Sequence, residues 1–124
     1  MESATIAPAV RVLIVEDGED QRFLMQRYFE LAGCEVTAVE TAEAALETMP
    51  TQDPDLVMTD LILPGMNGWE LAERIQSGWP DCVVVSSSVL EAARHPPLAA
   101  RLMKPVSRAD VRSLLEKLVP RWAA

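Results

Sequence analysis

The sequence predicts an α/β domain built on a parallel sheet, with helices packed on both of its faces. Three observations lead there. Short, wholly apolar runs rich in β-branched residues recur along the chain, as in strands covered on both sides. Segments with helical spacing of apolar residues lie between most of them. Most of the runs stop at a charged or hydroxyl residue, which in a parallel sheet places those polar groups along one edge.

The elements follow in order. Residues 1–9 read as an irregular leader, residues 10–120 as the domain and residues 121–124 as a tail. Val12-Leu13-Ile14-Val15 is the first strand and ends at Glu16-Asp17. A helix over residues 18–32 follows, with Phe23, Leu24, Tyr28 and Leu31 at helical spacing and Gly33 as its terminator. Residues 36–39 form a second strand. Thr41 caps a helix over residues 42–49, with Ala45, Leu46 and Met49 inward, and residues 50–54 form a loop. Leu56-Val57-Met58-Thr59 is the third strand and ends at Asp60.

Pro64-Gly65-Met66-Asn67-Gly68 is a turn cluster, and a helix over residues 69–76 follows it. Cys82-Val83-Val84-Val85 is the fourth strand and ends in Ser86-Ser87-Ser88. Across residues 89–100, His95-Pro96-Pro97 breaks any long helix. Arg101-Leu102-Met103 is a short fifth strand ending at Lys104-Pro105. Ser107 and Asp110 have capping-box spacing at the start of the last helix, whose apolar face is Val111, Leu114, Leu115 and Leu118.

Composition narrows the function classes. A chain of 124 residues suggests one domain. Its formal net charge of −8 argues against binding nucleic acid or an anionic membrane surface. Cys34 and Cys82 form no CxxC pair and read as small buried thiols in a reducing compartment. The first ten residues lack a basic start and a long apolar run, and no stretch approaches the ~20 apolar residues that span a bilayer. The expectation is a cytoplasmic protein. There is no GxGxxG and no Walker-type glycine loop, so no nucleotide cofactor is expected. His95, the single histidine, lies between Arg94 and Pro96 and is not expected to carry phosphoryl groups or hold metal. Trp69, Trp79 and Trp122 read as packing or surface residues rather than a stacking platform.

The strand ends carry the chemistry. A parallel sheet gathers Glu16, Asp17, Asp60, Ser86 and Lys104 at one edge. Carboxylates sharing a pocket repel each other and raise each other's pKa values. A divalent cation relieves that cost, and a site with few hard oxygen ligands from protein suits Mg²⁺. A carboxylate beside Mg²⁺ can act as a nucleophile toward phosphorus. The phosphoryl oxygens would then be neutralised by Mg²⁺, the Lys104 ammonium and the Ser86 hydroxyl. Any one of these residues is ordinary by itself; their occurrence in this order at successive strand ends is what points to phosphoryl chemistry.

The segments VLIVED (residues 12–17), VMTDLILPGMNG (57–68), VVVSS (83–87) and LMKP (102–105) resemble the receiver domains of bacterial two-component response regulators, over about residues 11–119. The resemblance implies a doubly wound, five-stranded, flavodoxin-like fold, with Asp60 as phosphoacceptor. It implies Mg²⁺ held by Asp17, Asp60 and the backbone carbonyl of Ile62, with Glu16 acting largely through water. Ser86, or Ser87 one step on, would be the mobile hydroxyl. Lys104 would pair with the phosphoryl group, and the Lys104–Pro105 bond would be cis. Three departures stand out: the uncertain serine register, a shortened helical region over residues 89–100, and Arg101 where many receivers carry Tyr or Phe.

The function so implied is a phosphorelay module, not an enzyme beyond its own phosphorylation and dephosphorylation. It would take a phosphoryl group from a sensor or hybrid histidine kinase, or a histidine phosphotransfer protein. It would pass the signal to a downstream protein target as a monomer or weak dimer, without binding DNA or membrane. Two alternatives are an aspartyl-phosphate phosphatase or phosphotransferase and a degenerate receiver used as a fixed binding platform. The first typically has two aspartates flanking one residue on its first strand, where this chain has Glu16-Asp17-Gly18. The intact Asp17, Asp60, Ser86 and Lys104 set argues against the second.

Overall fold

The computed structural model describes residues 8–88 and 100–122. Of the shortened region expected over residues 89–100, residues 89–99, His95 among them, lie outside the described residues, as does the Arg101 side chain. Five strands form one sheet: β1 (Arg11–Val15), β2 (Glu35–Val39), β3 (Leu56–Asp60), β4 (Val83–Ser88) and β5 (Ala100–Met103). All neighbours are parallel, in the order β2-β1-β3-β4-β5. This is the doubly wound order in which the direction of winding reverses between β1 and β3, so that a crevice opens at their carboxyl ends.

Alternation along the strands divides the core in two. Val12, Ile14, Leu56 and Met58 face one side with helices α1 (Glu19–Leu31) and α4 (Arg108–Leu118). Leu13, Val15, Val57 and Val84 face the other with α2 (Ala42–Gln52) and α3 (Gly68–Gly78). Both faces of the central strands are dry, which is why those strands read as unbroken apolar runs.

The helix ends follow their sequence signals. Thr41 Oγ1 accepts from Ala44 N at 3.0 Å. Ser107 and Asp110 form a reciprocal capping box, with bonds of 2.9 and 3.0 Å. Gly33, at φ +90°, ends the first helical segment in the left-handed region that glycine enters without strain. The Lys104–Pro105 bond is cis.

Two expectations need correction. Of the α1 residues read at helical spacing only Tyr28 packs against the core: Phe23 is 64% exposed, Leu24 and Leu31 are also exposed, and the buried residues are Met25 and Phe29. The helix carries apolar residues on both sides, and packing against the sheet selects the side with Met25 and Phe29. The loop expected over residues 50–54 is also displaced, because α2 runs through Pro50 to Gln52. A proline one turn from the end removes a single intrahelical bond. Asp53 then closes the helix at φ 44°, its N–H bonded to Met49 O at 2.9 Å. Smaller shifts extend β4 to Ser88 and start β5 at Ala100.

At the amino ends of the strands, a 3-10 turn (Pro120–Trp122) fastens several segments together. Arg121 donates to Pro8 O, Ala9 O and Asp55 Oδ2 at 2.6, 3.1 and 2.6 Å. Asp55 Oδ2 also accepts from Arg11 N. Trp122 Nε1 donates to Ala32 O at 2.7 Å, and the Arg112 guanidinium lies 5.2 Å from the Trp122 ring centroid. Desolvation pushes the Cys34 thiol up to about 11 and the Cys82 thiol up to about 12, which leaves both protonated and inert at neutral pH.

The orientation of α1 can be checked by truncation. Phe29→Ala should cost about 3–5 kcal/mol in urea unfolding, whereas Phe23→Ala should stay within about 0.5 kcal/mol. A Phe23 loss as large as the Phe29 loss would mean the helix faces the other way.

Candidate functional site

Three strands contribute charged groups to the carboxyl edge through the residues at which their apolar runs stop. Glu16 and Asp17 follow β1, Asp60 closes β3, and Lys104 follows β5. Carboxylate oxygens of Glu16, Asp17 and Asp60 lie within 4.8 Å of one another. The Lys104 ammonium sits against two of these acids, with Nζ 2.7 Å from Glu16 Oε1 and 3.0 Å from Asp60 Oδ2. Glu16 and Asp60 are buried and Asp17 is exposed. Burial works against the Lys104 charge, but hydrogen bonds and charge from Glu16 and Asp60 outweigh it and hold the ammonium above its ordinary pKa.

The acids are also tied to the backbone. Glu16 Oε2 accepts from Gly18 N at 3.0 Å, and Glu16 N donates to Val39 O at 3.0 Å. Asp60 Oδ1 accepts from Ile62 N at 3.2 Å. Both Glu16 oxygens are therefore engaged by protein donors. Ser86 and Ser87 are both buried at the end of β4. Ser86 is in register with Thr59 and Ser87 with Asp60. Glu16, Asp17, Asp60 and Lys104 thus converge on one edge of the sheet, with Ser86 and Ser87 buried at the end of the pairing between β3 and β4. Ile62 itself is 56% exposed at the mouth.

Glycine is required behind Asp60. A Cβ at Gly68 would lie 2.3 Å from Asp60 O and 2.7 Å from Leu61 Cα, both backbone atoms that cannot swing aside. Gly68 N also donates to Leu61 O at 3.0 Å, so the helix start and the strand end share one tight junction.

Two contributors were missed in the sequence. Arg22, one turn into α1, donates to Glu16 O and Asp17 O at 3.1 and 3.4 Å and pairs with Glu40 at 3.3 Å. Its spacing from the acidic pair was the available signal. Glu43, at the start of α2, accepts from Met66 N at 3.1 Å in the loop after β3. Backbone hydrogen bonds from Met66 and from Glu43 itself hold its carboxyl below the usual range. A partner that is a backbone N–H 23 residues away leaves no local pattern.

The donors suit a hard divalent cation: three clustered carboxylates, with a half-buried ammonium offsetting only part of their charge.

Residues 12–116 match the response regulator receiver domain family, and the chain belongs to it. It is 34% identical over 120 residues to the sensory/regulatory protein RpfC of Xanthomonas campestris pv. campestris, covering 89% of this chain and 16% of that protein. It is 31% identical over 124 residues to the two-component response regulator ARR3 of Arabidopsis thaliana, covering 85% of this chain and 54% of that protein. Among solved structures, a CheY-like receiver domain from Methanospirillum hungatei superposes with a TM-score of 0.85 at 23% identity, covering 94% of this chain and 98% of that one. The response regulator TrrA of Thermotoga maritima, in complex with Mg(2+)-BeF, superposes with a TM-score of 0.81 at 24% identity, covering 89% and 99%. Receiver domains bind Mg²⁺ at an acidic pocket and are generally not enzymes in their own right. Among the described residues no helix is long and apolar enough to cross a membrane.

Gly68→Ala should destabilise the domain by more than about 1 kcal/mol, because the junction behind Asp60 must shift. Wild-type stability in chemical denaturation would show that the junction yields freely.

Proposed function

We propose that this chain is a phosphorelay switch in which Asp60 takes a phosphoryl group from a phosphohistidine on a sensor or hybrid kinase, or on a phosphotransfer protein. Family membership supports the class, since receiver domains work with such kinases and phosphotransfer proteins. The observation that carries the assignment is the Lys104 ammonium bridging Glu16 and Asp60 beside Asp17.

Asp17, Asp60 and the Ile62 carbonyl would hold Mg²⁺. Glu16, whose oxygens already serve Lys104 and Gly18, fits a role through water. The cation supplies charge neutralisation for the phosphoryl oxygens when bound. An Asp60 carboxylate oxygen attacks phosphorus while the P–N bond breaks, and the departing imidazole keeps the electron pair and takes up a proton. Lys104, already aimed at Asp60, pairs with the transferred group, and charge-assisted bonds of this kind are among the stronger polar contacts. The Ser86 hydroxyl donates to a further oxygen, with Ser87 one register step away as the alternative. Attack of water on phosphorus later restores the carboxylate and releases inorganic phosphate. Output passes by docking to a protein partner, in the cytoplasm, from a monomer or weak dimer.

Acetyl phosphate with Mg²⁺ should add the mass of one phosphoryl group to the wild type and none to Asp60→Asn, and EDTA should suppress it. Normal labelling of the mutant, or indifference to EDTA, would remove Asp60 from its role. Lys104→Ala should stay folded and bind Mg²⁺, yet lose the NMR shifts that accompany phosphorylation in the wild type. An unchanged set of shifts would show that Lys104 does not couple the two.

A further inference from the structure

The acids of the pocket stand on two loops, one after β1 and one after β3, and the junction between β2 and α2 touches both. On the β1 side, Val39 O accepts from Glu16 N, and Glu40 pairs with the Arg22 that holds the carbonyls of Glu16 and Asp17. On the β3 side, Glu43 reaches the loop over residues 61–67. In that loop Leu61 and Leu63 are buried and Met66 packs against the core, while Ile62, Pro64, Gly65 and Asn67 are exposed. Hydrogen bonds therefore order what burial leaves open, the exposed turn and the backbone of Ile62. Ile62 N to Asp60 Oδ1 fastens its start and Gly68 N to Leu61 O joins its two ends. Among the described residues, the Glu43 to Met66 bond is the side-chain hydrogen bond that anchors its middle from outside.

A second feature fits the same contact. Gly65 has φ +72°, and a Cβ there would lie 2.9 Å from Glu43 Oε2. Glycine both permits the backbone turn that presents the Met66 N–H and leaves room for the carboxylate to approach.

We infer that Glu43 is a positioning residue for the cation pocket: its carboxylate, held on α2, pins the loop that carries Ile62 and so fixes where the Ile62 carbonyl stands relative to Asp17 and Asp60. This rests on the assignment of Asp17, Asp60 and Ile62 to the cation. Glu43 touches neither cation nor phosphoryl group, and its effect is to remove loop conformations that would otherwise be ordered at the moment of binding.

The test is Mg²⁺ titration by calorimetry of the wild type, Glu43→Ala, Glu43→Gln and Asp17→Asn. Losing one hydrogen bond should weaken Mg²⁺ binding about fivefold in Glu43→Ala. Glu43→Gln keeps an acceptor oxygen for Met66 N and should bind within about twofold of the wild type. Equal weakening in both variants would mean that the distant negative charge, not the clasp, is responsible, and the inference would be wrong. Wild-type affinity in Glu43→Ala would also overturn it. If Asp17→Asn binds like the wild type, or the wild type binds no Mg²⁺, the cation-site assignment fails and takes this inference with it.

Discussion

The Lys104 ammonium sits between two buried carboxylates that are 88 and 44 residues away in the chain. Without it, burying Glu16 and Asp60 side by side would set two like charges against each other in a poorly solvated place. With it, three carboxylates and one ammonium leave a formal charge of −2, the charge a single divalent ion cancels. The arrangement demands that β1, β3 and β5 run parallel and end at the same level. It also demands dry faces on the central strands, so that the groups at their tips are partly shielded and their attractions are strong. The fold can be understood as the scaffold that brings these four charges together.

The same geometry explains which parts of the protein were legible in the sequence. Glu16, Asp60 and Lys104 each interrupt an apolar run, and an interruption of that kind marks the edge of a buried sheet without any tertiary information. Thr41 and Ser107 were legible because caps act over three residues. The inward side of α1 was not. Phe23, Leu24 and Leu31 keep a helical spacing as good as that of Met25 and Phe29, and only packing against the sheet decides between them. Pro50 misled because it stands in the last turn of α2, where only two further helical residues follow it. Arg22 left a trace in its spacing from Glu16 and Asp17, whereas Glu43 acts on a backbone N–H 23 residues away whose position exists only after folding, so residue type and spacing carry little trace of it.

Rigidity is unevenly distributed around the pocket. Behind Asp60 the Gly68 junction leaves no space for even a methyl group, whereas in front of it Ile62 and Pro64 stand in solvent. The backbone of Asp60 is thus closely packed, while part of the loop that follows it is open to solvent. With Asp60 in the proposed role, such a division suits a group that must first admit a phosphoryl donor and afterwards report that it has reacted.

The turn around Arg121 and Trp122 has a consequence of another kind. Arg121 binds the carbonyls of Pro8 and Ala9, so the first and last described stretches are neighbours in space. They meet at Asp55, and Asp60 lies at the other end of the same strand, about 16 Å away at a rise of ~3.3 Å per residue. The Arg121 clasp therefore ties residue 8 to residue 121 at the amino edge of the sheet, while the acids stand at the carboxyl edge. Contacts made at one edge leave the other free, so the pocket can meet its visitors whatever rests against the Arg121 clasp.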